Sequence, residues 1–168
     1  MLCVFTSCAY FSSKEPVDYK PVQYSKNDYR VLKKENRYTG TFMIRQKSNG
    51  FFIPDEKISV DMDIIISSLK VPYLRVSYYG TEQLSIPDGQ TLSFSLGNEE
   101  IKLSSKRESN RLKKGGEAVE VVSYLVTRGQ MKKISNGSSV ICSLHSYTFP
   151  VPDKMKENWD SFINEYWQ

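Results

Sequence analysis

Two aspartates in one short segment are the residues whose type and spacing come nearest to a catalytic arrangement. Asp61 and Asp63 are separated only by Met62, so in a β-strand both carboxylates lie on one face. Paired carboxylates can act as general acid and general base. Catalysis usually needs several polar groups that converge in a cleft, however, and no titratable partner for this pair is implied nearby.

The only histidine and the cysteine in the body of the chain give no further catalytic set. His145 has no catalytic or metal-binding partner in the pattern, so a surface or half-buried position is expected. Cys142 lies in an apolar run, where a cysteine behaves as a small core residue. The sequence contains no Gly-rich phosphate loop, His-x-x-x-His pair, Gly-x-Ser-x-Gly elbow or Cys-x-x-Cys pair. We therefore expect no enzyme activity, no metal and no cofactor. An enzyme would instead show a deep pocket lined by His145 or by the two aspartates.

The longest polar interruption of the chain covers residues 104–117. Its five basic residues are Lys106, Arg107, Arg111, Lys113 and Lys114. Such a run can bind an anion, as an arm for anionic lipid, a polyanionic polymer or nucleic acid. It is also typical of a solvated, mobile hairpin loop, and the absence of interleaved aromatic residues favours that second interpretation. Nucleic acid is not favoured, since the net charge is only +4 and basic residues are mostly Lys.

Alternating hydrophobicity predicts the strands that would position these residues. Such segments lie at 38–45, 60–66, 73–79, 83–86, 91–96 and 101–103, with Pro72 expected to break the chain. Asn49-Gly50 is a turn signal, and Pro87-Asp88-Gly89 and Gly97-Asn98-Glu99 predict two hairpins. Two further strands are predicted at 118–127 and 140–150, and the first is too apolar to be an edge exposed on both faces.

Helical periodicity appears in two places. Residues 128–136 predict a short helix with Met131 and Ile134 on one face, ended by Asn136-Gly137. A longer helix is expected to begin with Asp153 as N-cap. Its apolar stripe comprises Met155, Trp159, Phe162, Ile163, Tyr166 and Trp167. Its polar face comprises Lys154, Lys156, Glu157, Asp160, Asn164 and Glu165. The stripe favours a helix packed on the sheet, and the alternative is a docking surface. Tyr166 and Trp167 at the terminus are the candidate partner contacts.

These elements predict an α+β fold. We expect one domain at 38–168, built from a mostly antiparallel sheet of about seven to eight strands with a C-terminal amphipathic helix packed on it. Residues 9–37 are poor in apolar side chains and contain two prolines, which predicts a flexible tether with a short helical turn at 29–32. The alternative is a disordered terminus without a role.

The first eight residues resemble the end of a bacterial lipoprotein signal peptide. The short apolar run ends in Phe5-Thr6-Ser7-Cys8, where small residues precede the cysteine and a polar segment follows it. The resemblance covers eight of 168 residues. It implies that residues 1–8 are signal-like, that Cys8 carries the lipid, and that the chain is anchored to a membrane of the bacterial cell envelope.

Together these patterns favour a lipid-anchored cell-envelope protein that acts as a binding or structural module, with a protein partner in the envelope. The alternative is a cytosolic β-rich binding protein that engages an anionic partner through residues 104–117. No later run approaches the roughly 20 apolar residues that a membrane-spanning helix needs.

Overall fold

The described part of the chain is a mostly antiparallel β-sheet with two α-helices, which confirms the predicted fold class. The computed structural model describes residues 23–24, 30–47, 50–53, 58–80, 90–112 and 118–168. Eleven strands form the sheet within those ranges, more than the predicted seven to eight. The strands are β1 (Gln23–Tyr24), β2 (Arg30–Asn36), β3 (Thr41–Lys47), β4 (Gly50–Ile53), β5 (Ile58–Ser67), β6 (Lys70–Gly80), β7 (Thr91–Leu96), β8 (Glu99–Leu112), β9 (Ala118–Leu125), β10 (Ile141–Leu144) and β11 (Tyr147–Pro150). The helices are α1 (Arg128–Asn136) and α2 (Asp153–Tyr166).

The sheet runs in the order β1-β4-β5-β6-β9-β8-β7-β10-β11, and β3 joins it at β5 with β2 on its other side. Side chains alternate along a strand, so successive residues of β5 point to opposite faces of the sheet. Val60, Met62 and Ile64 are fully buried on the inner face, which carries the core. Asp61 and Asp63 lie on the opposite, outer face, as the sequence predicts. β9 pairs with β6 and with β8, so its predicted central position is confirmed.

The prediction that Pro72 breaks the chain is wrong, because β6 continues through it. Pro72 lies where the β5–β6 register shifts between Ile65 and Ser67. A bulge tolerates the missing N–H of proline. The Pro72 carbonyl still accepts a hydrogen bond from the Val126 amide at 3.2 Å.

The predicted helical turn at 29–32 is also wrong from residue 30 onward. Arg30 begins β2, which pairs along its length with β3. The sheet thus extends into the range that the sequence predicts as a tether. The predicted strand at 38–45 begins later, at Thr41, because residues 37–40 form the β2–β3 turn with Gly40 at φ +64°.

The predicted loop at 104–117 is wrong for residues 104–112, which belong to the long strand β8. The first half of β8 forms a hairpin with β7 through the predicted turn, where Gly97 has φ +71°. The second half pairs with β9, so that Arg107 lies opposite Ser123 and Arg111 opposite Val119 in the backbone register. Paired backbone N–H and C=O groups hold this segment in a strand, although Leu112 is its only apolar residue.

The strand predicted at 140–150 is two strands. β10 and β11 form a hairpin whose turn is residues 145–146. His145 occupies that turn with φ +53°, a left-handed conformation that His adopts more readily than most residues. The sequence has no Gly or Pro at residues 145–146, so its alternation predicts one continuous strand.

Both predicted helices are present. Thr127 caps α1 in a capping box with Gln130, and Met131 and Ile134 are buried as predicted. In α2 the N-cap is Pro152, so the N-cap prediction for Asp153 is wrong. Asp153 instead lies in the first turn and forms an ion pair with Lys156 at 2.9 Å. Lys156, predicted on the polar face, is buried and also donates to the Gly137 carbonyl at 2.7 Å.

The apolar stripe of α2 packs on the inner face of the sheet, which confirms the core interpretation. Met155, Trp159, Phe162 and Ile163 have no exposed surface. The Trp159 ring meets the Phe94 ring of β7 edge-on, with centroids 6.3 Å apart. Aromatic pairs prefer this arrangement. The β-sheet and α2 therefore share one hydrophobic core.

Several predictions fall outside the described residues. They are the signal-like segment with Cys8, the tether at residues 9–22 and 25–29, Asn49 of the predicted turn, the strand at 83–86 with its Pro87-Asp88-Gly89 turn, and Lys113 and Lys114. Of Lys106, Arg107 and Arg111, the structure describes the backbone in β8 only.

Candidate contact site at the sheet corner

Two turns meet at one corner of the sheet. The β2–β3 turn (residues 37–40) and the β5–β6 turn (residues 68–69) are joined through Phe42 and Ser68. The Ser68 amide donates to the Phe42 carbonyl at 3.1 Å, and the Phe42 amide donates to Ser68 Oγ at 2.9 Å. These bonds hold the turns side by side, although the two residues are 26 positions apart in sequence.

Four exposed large hydrophobic residues lie around this corner. Tyr38 is 100% exposed, Leu69 71%, Val71 56% and Phe42 43%. We call these four residues the apolar corner. Among the residues whose side chains the structure describes, one further large hydrophobic residue is exposed, Leu32 on β2, at 41%. Single exposed apolar residues are ordinary, but a group of them in one place indicates a surface that contacts something other than water.

A shallow groove of about 330 Å³ runs beside the corner. Phe42 and Leu69 line it together with Met43 and Tyr73, and Lys34 and Glu35 stand at its polar side. The groove is open to solvent and mainly apolar. It can accept an apolar chain or side chain, and it holds no set of groups that could activate a nucleophile.

Two basic side chains lie next to the corner. Lys34 and Arg37 are exposed, and neither forms an ion pair with any residue that the structure describes. Lys33 on the same strand contacts α2 instead, with Nζ 4.3 Å from the centre of the Tyr166 ring. Glu35 lines the groove together with Lys34, so one acidic side chain accompanies the two basic ones.

The outer face of the sheet next to the corner carries a buried ion pair. Arg45 on β3 donates from Nε to Asp63 Oδ2 at 3.0 Å, and its Nη2 bonds the same oxygen. Asp63 is 1% exposed, whereas the Arg45 side chain is 21% exposed. The sequence implies no titratable partner near the two aspartates, and the structure corrects this: the partner of Asp63 comes from a different strand, 18 positions earlier.

Asp61 has a different environment from Asp63. It accepts a hydrogen bond from the Tyr79 phenol. Burial raises the pKa of Tyr79, and the nearby carboxylate of Asp61 raises it further, because both disfavour a phenolate. The two carboxylates are thus engaged by separate partners on the outer face. This arrangement braces neighbouring strands, and it gives no acid–base pair directed at a substrate.

Removing the buried carboxylate of Asp63 should lower the stability of the fold. We expect Asp63→Ala to lower the free energy of unfolding by about 2–3 kcal/mol, because Arg45 loses its charged acceptor in a mostly buried position. Urea unfolding followed by circular dichroism measures this change. Glu157→Ala is the matched control, since it breaks the solvated Lys154–Glu157 pair and should cost less than about 0.5 kcal/mol. Equal effects of the two substitutions would contradict a bracing role for Asp63.

The other residues singled out by the sequence do not come together. Cys142 is fully buried, as predicted, and desolvation raises the pKa of its thiol, which keeps it protonated and unreactive. His145 is exposed, and its Nδ1 lies 3.2 Å from the Gln90 side-chain nitrogen. Within the described ranges, no group of three or more His, Cys, Asp or Glu residues could hold a metal ion.

The candidate partner contacts at the C-terminus differ in exposure. Trp167 is 9% exposed, and Arg128 Nε donates to its carbonyl. Tyr166 is half-buried against Phe162, with ring centroids 5.4 Å apart. A partner contact at this terminus therefore depends on Tyr166.

Sequence reasoning missed the apolar corner altogether. One signal was available, because Leu69 lies in the turn between β5 and β6, where polar residues are usual, and the apolar Val71 follows it at the start of β6. The proximity of this turn to Tyr38 and Phe42 could not be predicted, since it depends on how β3 pairs with β5.

Comparisons with protein-family models, with curated proteins and with solved structures found no match for the chain. In the part of the chain that the structure describes, neither helix is long and apolar enough to cross a membrane.

Proposed function

We propose that this protein is a lipid-anchored module of the bacterial cell envelope, which works by surface contact through the apolar corner. The anchor is the lipid that the signal-like ending predicts on Cys8. One observation carries the contact surface: of the five exposed large hydrophobic residues whose side chains the structure describes, four lie on or beside the two adjoining turns. Such a patch marks a site of association with a protein or a membrane.

The chemistry of the described residues supports contact over catalysis. The one described thiol, Cys142, is buried and protonated, and the carboxylate of Asp63 forms an ion pair with Arg45. The groove at the corner is open and mainly apolar, which suits the recognition of a surface. We therefore assign the protein a binding or structural role.

The alternative is a cytosolic module that binds an anionic partner through residues 104–117. The observation in its favour is the backbone of β8, whose pairing with β9 places Arg107 and Arg111 at regular positions of a strand. An ordered basic strand can present charge more precisely than a mobile loop.

In-cell photocrosslinking tests which surface makes contact. A photoreactive benzophenone side chain would replace Leu69 in the apolar corner, Arg107 in the basic strand, or Thr91 as an exposed control on β7. We expect an illumination-dependent adduct in the membrane fraction from position 69 and none from position 91. Adducts from position 107 in the soluble fraction, with none from position 69, would overturn the proposal in favour of the cytosolic alternative.

A further inference from the structure

We propose that the apolar corner binds a membrane surface, by inserting into the headgroup region of a bilayer rich in anionic phospholipid. The inference rests on the proposed function, because it identifies the surface that an envelope protein would contact. The proposed occupant is lipid. A protein partner is the competing outcome of the test below.

The shape of the corner suits insertion. Tyr38 lies in one turn and Leu69 in the other, and Phe42 and Val71 lie in the strands that follow these turns. Tyr38 and Leu69 have the largest exposed fractions among the exposed large hydrophobic residues, 100% and 71%. Turns can enter a bilayer surface tip first, whereas a protein interface normally offers a broader area of about 800 Å² on each partner. Tyrosine is also a residue that prefers the membrane–water interface, since its ring is apolar and its hydroxyl is polar.

The charge of the corner complements an anionic surface. Lys34 and Arg37 flank the apolar side chains and are exposed, with no ion-pair partner among the described residues. Each basic residue near an anionic bilayer adds attraction that falls off within a Debye length. Apolar insertion and electrostatic attraction therefore act at the same place, and neither needs to be strong by itself.

A lipid on Cys8 would keep the folded domain close to the bilayer. Cys8 is 15 positions before Gln23, the first residue of β1. A chain of that length reaches at most about 50 Å. The resulting high local concentration makes even weak insertion by the apolar corner effective.

Vesicle binding by the full chain without its lipid tests the inference. The Cys8→Ala protein would be mixed with phosphatidylcholine vesicles, or with vesicles that also contain phosphatidylglycerol, and the bound fraction measured by sedimentation. We expect binding to the anionic vesicles that weakens with salt. Leu69→Asp should reduce the partition coefficient about tenfold or more, because it removes inserted apolar surface and adds a repelled charge. Lys34→Gln and Arg37→Gln should each reduce it about fivefold.

Two control variants separate the corner from general effects of charge. Thr91→Asp adds the same negative charge on β7, and Lys102→Gln removes a positive charge on β8, both at exposed positions outside the corner. We expect both controls to bind more strongly than the corresponding corner variants, and unchanged thermal melts would show that all variants remain folded.

Three results would overturn the inference. They are no binding to anionic vesicles, binding that Leu69→Asp leaves unchanged, and adducts from position 69 that contain protein and no lipid. The anchor is tested separately by the mass of the native protein, so loss of vesicle binding with an intact lipid on Cys8 rejects the membrane contact alone. An unmodified Cys8 with retained vesicle binding rejects the anchor alone.

Discussion

Trp159→Ala is expected to lower the free energy of unfolding by about 3–5 kcal/mol. Trp159 has no exposed surface, and its ring packs edge-on against Phe94, so the substitution opens a cavity between α2 and the sheet. The loss is a large share of the roughly 5–15 kcal/mol that stabilises a domain. Truncation after Pro152 removes all of α2 and should unfold the domain. Chemical denaturation followed by circular dichroism measures both effects.

Tyr38→Ala is the matched control for this prediction. It also replaces an aromatic residue by alanine, but Tyr38 is fully exposed, so we expect a change within about 0.5 kcal/mol. If Trp159→Ala melted at the temperature of the unsubstituted protein, the stripe of α2 would have to serve a partner or a membrane instead of the core.

The second large effect concerns the cell fraction in which the protein is found when Cys8 is replaced. We expect protein made from the full gene in a bacterial host to fractionate with membranes, and Cys8→Ala to move most of it to the soluble fraction. A single acyl chain binds a bilayer weakly, whereas several chains on one cysteine hold a protein firmly. Intact mass spectrometry should show a chain that begins at Cys8 and carries the mass of the lipid.

Cys3→Ala provides the control, because it removes the other cysteine of the signal-like segment. The membrane fraction should remain unchanged if Cys8 is the modified residue. Recovery of unmodified residues 1–168 from the soluble fraction would rule out the anchor, and the cytosolic alternative would then be preferred.

Sequence periodicity predicted the elements whose own side chains are buried. The stripe of α2 repeats with helical spacing, and the alternation in β5 and β9 has the period of a strand that buries one face. In such segments burial drives the local structure, so the pattern can be read without knowing the partner. For the same reason the burial of Cys142 and the two faces of α1 were predictable.

Strands that owe their structure to a neighbour were not predictable in this way. β2 is almost entirely exposed, and its Lys-rich sequence shows no alternation, yet it pairs with β3 along its whole length. The second half of β8 is polar and still pairs with β9. In both cases backbone hydrogen bonds to another strand determine the conformation. These hydrogen bonds cannot be predicted from the pattern of side chains in the segment itself.

The sequence by itself determined the α+β class, the core helix, the central strands and the resemblance that proposes an anchor at Cys8. Only the tertiary structure decided that Arg45 and Asp63 form a buried pair and that Phe42 adjoins Ser68, so that two turns expose their apolar residues together. These contacts join residues 18 and 26 positions apart, and they depend on the register with which β3 meets β5. A register is a property of two strands at once, because a shift of one residue reverses every side chain, and neither strand specifies it alone.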